Sequence, residues 1–352
     1  MLNEIKSKIE KEIIIYIEKI DKQYSLSVLS PTLLEHIKKF MLQGGKRLRP
    51  MLFIISYLGY SKKVAPGLYT SALSLEFLHN FLLVHDDIID KSNRRRNGLS
   101  MHAMLNKKLQ KYSNVKCSGQ DLAIVTGDIM CALGISTFLE VKEDPVNKGK
   151  ALKKMMESAV HTGIGEFLEL FLETKKLSSV TKEDIYKIYE LKTAIYSFSA
   201  PLVIGALLAG AKETEVDKLF ECGLHLGRAF QIKNDLADIF DTTGNTNEFS
   251  LEDLREGKRT ILIWYAYNNS GDKEKITVKR ILEKQNSSYG ELLELRKIII
   301  DSGAIDYAKS EINKLANKAK KSFASTKINK LYKDLVISYF GKLLSVFGGI
   351  HG

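Results

Sequence analysis

Apolar residues return every three or four positions along most of this chain. They do so from Ile5 to Ile20, from Leu33 to Met41 and from Met51 to Tyr60, and that period predicts amphipathic helices. Pro31 and Pro50 fall where a first helical turn tolerates them. A longer helix is predicted over 66–90, with Leu75, Leu78, Leu82 and Ile89 on one broad apolar stripe. Further helices are predicted over 122–141, 148–173, 182–198 and 213–241, and others from about Thr260 onward. Two segments break the period: Lys91–Ser100, rich in Arg and Asn, and Asp241–Lys258, with Gly244, Asn245, Asn247 and Gly257. No alternating strand pattern is visible. The expectation is a single all-α domain over residues 1–352, ending in a three-helix appendage after about Lys273.

Composition supports that reading. Apolar residues make up 44 % of the chain and are spread along it, enough for a sizeable core, and there are only 5 prolines. The net charge of +11 suits nucleic acid, an anionic membrane surface or phosphorylated small molecules. Three cysteines, Cys117, Cys131 and Cys222, form no CxxC pair, which argues against a disulfide framework or zinc site and for a cytoplasmic location. The first 22 residues mix charges with isoleucines and hold no signal-peptide core. The longest apolar stretch, Phe198–Ala211, contains Pro201; it is too short to span a membrane and reads as a buried core helix. No transmembrane segment is predicted.

The candidate chemistry begins at the end of the long helix, in Val84-His85-Asp86-Asp87-Ile88-Ile89-Asp90. Asp86 and Asp90 are four residues apart and so share a face, at a helix C-terminus that disfavours anions. The arrangement costs stability unless a cation occupies it, and hard oxygen donors suit Mg²⁺. An isolated DDxxD also describes a solvated acidic helix end. A second cluster, Gln231-Ile232-Lys233-Asn234-Asp235-Leu236-Ala237-Asp238, again lies late in a helix. Facing each other across a bundle, the two clusters would hold several Mg²⁺ ions around one diphosphate.

Basic segments accompany them. Gly44-Gly45-Lys46-Arg47-Leu48-Arg49-Pro50 joins two helices, and its glycines let backbone approach an anion while Lys46 and Arg49 supply charge. Arg94-Arg95-Arg96 comes directly after the first acidic cluster. Gly257-Lys258-Arg259-Thr260 comes after the second, at a predicted helix start, and Lys192-Thr193 interrupts an apolar helix. Any one of these is equally a solvated basic face. No aromatic interleaving and no nucleic-acid-binding motif accompanies them, so nucleic acid is not expected as a partner. His79 lies seven residues before Asp86, on nearly the same face, where a lone His is usually a core residue; His85 and His102 receive no assignment.

Taken in order, GGKRLRP, LHNFLLVHDDIID, the arginines, LKTAIYSF, FQIKNDLADIF and EGKRT resemble the trans-isoprenyl diphosphate synthase (polyprenyl synthetase) family. The resemblance covers Gly44 to Thr260. It implies a large helical bundle around a central active-site cavity, usually homodimeric, and a Mg²⁺-dependent prenyltransferase that joins isopentenyl diphosphate to an allylic diphosphate. Asp86 and Asp90, with Asp87 in support, would ligate metal, and Asn234, Asp235 and Asp238 form the second metal motif. Arg95, Lys192 and Lys258 would hold the allylic diphosphate; Lys46, Arg49, His79 and Arg96 would hold isopentenyl diphosphate. Thr193 and Gln231 would line the reaction zone, and Phe81, with Leu82 beside it, would floor the chain-elongation cavity. That floor, with no two-residue insertion in the motif, resembles geranylgeranyl synthases more than farnesyl synthases.

Two departures matter. Asn234 stands where the family usually has Asp, and Glu166 replaces the Gln of a GQxxDL stretch, here Gly165-Glu166-Phe167-Leu168-Glu169-Leu170. They leave two rival readings. A class I terpene cyclase shares the first motif, but its N-D-x-x-S/T-x-x-x-E motif meets Asp238 and Thr242 at the hydroxyl and Glu positions. A non-catalytic subunit of a heteromeric synthase rests on Asn234 alone.

Overall fold

The computed structural model describes residues 1–61, 63–95, 98–240, 249–284 and 286–345, and helices dominate them. They divide into two compact units, Met1–Lys153 with Ile204–Ala211, and Lys154–Val203 with Lys212–Gly352.

The first unit is built from α1 (Leu2–Tyr24), α2 (Leu26–Leu29), α3 (Pro31–Leu42), α4 (Leu48–Tyr60), α5 (Leu68–Ile89), α6 (Met101–Leu109), α7 (Gly119–Phe138) and the first part of α8 (Pro145–Glu173). The predicted stripes become its core. On α1, Ile5, Ile9, Ile13 and Ile20 are buried at the expected spacing, and α5 buries Leu68, Leu75, Phe77 and Leu78. Arg47 is buried at the start of α4, where its guanidinium pairs with Glu76 Oε1 at 2.7 Å and donates to the Met41 carbonyl at 2.8 Å. A charge removed from water needs such partners. Arg47 is therefore structural, unlike its neighbours Lys46, which is exposed, and Arg49, which is half-buried.

The second unit continues through α8 into α9 (Lys182–Ile188), a π-helical stretch (Tyr189–Ser199), the first four residues of α10 (Ala200–Leu208), then α11 (Glu213–Phe240), α12 (Glu252–Glu256) and α13 (Ile261–Asn269); the rest of α10 belongs to the first unit. α14 (Asp272–Leu282), α15 (Tyr289–Asp301), α16 (Ala304–Ala324) and α17 (Lys330–Leu344) complete it. The expected three-helix appendage thus carries four helices, and it is no appendage. α16 lies along α11 and buries Ala308, Ile312, Leu315, Ala319 and Phe323. Its Glu311 accepts from the Tyr186 hydroxyl at 2.5 Å and from Lys182 at 3.1 Å.

Other differences are local. α6 was not predicted, because Met101, Met104 and Leu105 cover barely two turns. Lys91–Ser100 is not wholly irregular: Arg94 pairs with Leu99 and Arg95 with Gly98 in a two-residue antiparallel ladder. α12 lies inside the expected 241–258 loop, whose residues 241–248 fall outside the described ones. Two helical runs, Gly119–Phe138 and Lys182–Leu208, are by length and composition apolar enough to cross a membrane, a test that the core helices of a globular protein also pass. The second is 89 % buried, as a core helix is; the first is 44 % buried.

Candidate active site

α5 ends in the first acidic motif. Asp86 and Asp90 bring carboxylate oxygens within 4.8 Å of each other. Asp87 is fully buried between them in sequence, and burial pushes its carboxyl up to about 6 although Arg95 opposes the shift. Arg95, on the short ladder, donates from Nε to Asp87 Oδ1 at 2.7 Å and from Nη2 to Asp86 Oδ2 at 3.1 Å. A residue expected to hold substrate therefore partners two of the motif's three carboxylates here. Asp87 Oδ2 is buried with no hydrogen-bond partner among the described residues. Arg96 lies outside the described residues.

The second motif sits in α11 and is held differently. Asp235 is buried; the Tyr189 hydroxyl donates to its Oδ2, and Gln231 Nε2 donates to its Oδ1 at 2.9 Å. Tyr189 in turn accepts the Ile261 backbone N–H at 2.9 Å, and Thr193 donates to Gln231 Oε1 at 2.8 Å. Burial pushes the carboxyls of both Asp235 and Asp238 up from their ordinary values. Asp238 accepts the backbone N–H groups of Glu252 at 2.9 Å and Asp253 at 3.1 Å, so it caps the start of α12. Asn234 is exposed.

Lys192 and Thr193 lie in the π-helical stretch, a rare form that is frequent at functional sites. Neighbouring helices approach it closely. A Cβ on Gly165 of α8 would stand 2.6 Å from the Lys192 backbone nitrogen, and one on Gly227 of α11 would stand 2.3 Å from Ala194 Cα. Lys192 Nζ pairs with Glu166 at 2.6 Å and Glu169 at 2.5 Å. Lys258 pairs with Glu256 at 2.5 Å and lies 3.7 Å from Asp253. Sequence reasoning missed Tyr189, Glu169 and Asp253. A tyrosine on an apolar stripe reads as core, and Asp253 gains its place only once α12 forms.

On α5, Phe81 and Leu82 are half-buried, as is His79. The Phe81 ring meets His85 edge to face, 4.7 Å between centroids. Gly127 of α7 makes room for that pair, since a Cβ there would lie 2.7 Å from the His85 ring.

A family model described as polyprenyl synthetase matches residues 30–299, which contain every candidate site residue above. The chain belongs to the polyprenyl synthetase family. Among its relatives is the short chain isoprenyl diphosphate synthase of Methanocaldococcus jannaschii, 28 % identical over 305 residues, 87 % of this chain and 84 % of that one. The geranylfarnesyl diphosphate synthase of Aeropyrum pernix is 31 % identical over 273 residues, 76 % and 79 % of the two chains. The geranylgeranyl diphosphate synthase of Sulfolobus acidocaldarius is 30 % identical, covering 84 % and 85 %. A crystal structure of geranylgeranyl pyrophosphate synthase from Corynebacterium glutamicum, complexed with isoprenyl diphosphate and magnesium, superposes with a TM-score of 0.89. At 21 % identity over 99 % of this chain and 100 % of that one, the likeness establishes the all-α polyprenyl synthetase fold.

The first motif of this polyprenyl synthetase fits a hard divalent cation. Two close carboxylates end a helix, and a third offers a buried oxygen without a partner.

Proposed function

We propose that this polyprenyl synthetase is a short-chain trans-prenyltransferase that condenses isopentenyl diphosphate with an allylic diphosphate, giving geranylgeranyl diphosphate first and farnesyl diphosphate second. The observation that carries the proposal is the Asp86–Asp90 pair closing α5, beside a buried Asp87 and under Arg95. A terpene cyclase needs no second diphosphate site, and Lys46, Arg49 and His79 supply the groups for one.

In this reading Asp86, Asp87 and Asp90, with Asn234, Asp235 and Asp238, hold Mg²⁺. The bound metal would neutralise the allylic diphosphate as it leaves. Lys192, Lys258 and Arg95 hold that diphosphate, and Arg95 exchanges Asp86 and Asp87 for it. Lys46, Arg49, His79 and Arg96 orient isopentenyl diphosphate. The allylic C–O bond breaks with its electron pair going to diphosphate. The double bond of isopentenyl diphosphate then forms the new C–C bond, and the departed diphosphate takes the proton. Thr193 and Gln231 fix Asp235 through the amide chain described above.

We also read the protein as a cytoplasmic homodimer. Val160, Ile164, Phe167 and Phe171 are exposed at helical spacing on α8, and the two phenyl rings stack at 6.3 Å. A row of this kind suits a partner surface.

The test is an assay of the purified protein alone with isopentenyl and dimethylallyl diphosphates. A linear twenty-carbon product is expected. A cyclic product, or no coupling without a second protein, refutes the reading. Product length tests Phe81 separately: Phe81→Ala opens volume below the tail and should lengthen the product. Chromatography of dephosphorylated products reads it, and an unchanged distribution would leave the floor to Leu75, Leu78 or Leu82.

A further inference from the structure

α8 carries two carboxylates three residues apart, Glu166 and Glu169, and both close on the same ammonium. Lys192 is 20 % exposed and each glutamate 17 %, so the trio is largely withdrawn from water. Its geometry comes from the backbone. Gly165 lets the π-helical stretch lie against α8, and this approach sets how far Lys192 must reach. The trio differs from a surface ion pair, whose long side chains drift and whose charges are screened. One positive and two negative charges sum to −1, at a side chain whose proposed task is to meet an anion. In a site of reduced dielectric that balance is felt strongly.

We propose that Glu166 and Glu169 form a carboxylate clamp that restrains Lys192, and that Glu166 thereby lowers the diphosphate affinity of the site and its discrimination between diphosphate and phosphate. The inference rests on Lys192 being a diphosphate ligand. Glu166 acts through Lys192 and is a positioning residue, not a catalytic one. The departure from the family's Gln is what creates the second arm: a neutral amide at 166 would leave Glu169 alone and a local sum of zero. A diphosphate, with several charges, competes for the ammonium against two carboxylates. A monophosphate competes poorly. The clamp's cost therefore falls in full on an anion that draws the ammonium away, as diphosphate does, and less on a monophosphate that does not.

The experiment is calorimetric titration of the full chain with inorganic diphosphate and inorganic phosphate, with magnesium chelated. Wild type, Glu166→Gln, Lys192→Gln and the double variant form a cycle, which isolates the coupling between the two positions. Glu166→Gln should bind diphosphate about tenfold tighter, widen the diphosphate-over-phosphate preference, and lose its gain in the Lys192→Gln background. Glu169→Gln is the second variant, with the same sign, should Glu166→Gln fold poorly. Unchanged or weaker binding overturns the clamp. So does an equal gain with Lys192 absent, which would be plain repulsion between Glu166 and the ligand. If Lys192→Gln alone binds diphosphate as wild type does, the assignment of Lys192 as a ligand falls, and the clamp's role falls with it.

Discussion

Asp87 and Asp235 are both buried carboxylates at the heart of an acidic motif, and both are pushed up by burial, but their partners differ in kind. Asp87 answers to a guanidinium, Arg95, carried by a short ladder just beyond α5. Asp235 answers to neutral donors, the Tyr189 hydroxyl and the Gln231 amide, each fixed by a further hydrogen bond. A mobile cation can be exchanged for another cation; oriented dipoles stay in place and preset geometry. On the proposed function, the first motif would change partners when substrate arrives. The second is built to be ready beforehand.

The largest effect should come from breaking the exchangeable motif. Asp86→Ala is expected to cost about a hundred- to a thousandfold in kcat. Its circular dichroism should match wild type, and its metal-free melting temperature should hold or rise, because a clustered like charge is gone. Near-normal turnover at saturating Mg²⁺ would remove Asp86 from the site.

Next is the preset motif. Tyr189→Phe strips the hydroxyl from between Asp235 and the Ile261 N–H, leaving both buried groups short of a partner. It should destabilise the protein by about 1–3 kcal/mol. Mg²⁺ for half-maximal activity should rise several-fold, with urea melts and metal titrations reading the two effects. Loss of stability without a metal effect would reduce Tyr189 to scaffolding.

Asn234→Asp sharpens the same side of the contrast. The position is exposed, and a charged ligand added there should lower the Mg²⁺ requirement a few-fold. An unchanged or higher requirement would mean that Asn234 is not a weak ligand position.

The smallest effect concerns pH. Asp87 has its carboxyl raised to about 6, above the unfolded value near 4, so the folded state holds that proton more tightly. The stability it adds is present below about pH 4 and lost as pH rises through 6. Asp87→Asn cannot lose it. Between pH 4 and 7 the stability difference, variant minus wild type, should therefore move in the variant's favour by roughly 1–3 kcal/mol, read from urea melts without metal. A flat or opposite trend would show that the Arg95 pairing outweighs burial.

Much of this was legible in the sequence because charge at helical spacing is itself the signal. Asp86 and Asp90 share a face for the reason that makes i and i+4 neighbours on any helix, and the stripes on α1, α5 and α11 became the core. What escaped depends on tertiary partners. Arg47 and Lys46 look alike in GGKRLRP, and only the buried Glu76 turns one of them into a structural ion pair. That Asp238 also accepts the first N–H groups of α12 shows only once that helix has formed. The C-terminal helices carried no motif, so nothing in their sequence announced that α16 would lie along α11.

The π-helical stretch sets a rule about chain length as well as chemistry. Lys192 and Thr193 are adjacent, yet one reaches α8 and the other α11, while Tyr189 three residues earlier also reaches α11. Each residue added to or removed from a helix rotates all later side chains by about 100°. A one-residue deletion between Tyr189 and Lys192 would swing the ammonium off its glutamates or the tyrosine off Asp235, whatever residue was lost. Exchange of one side chain for another leaves that phase intact. Between Tyr189 and Lys192 the protein should therefore accept many spellings but a single count.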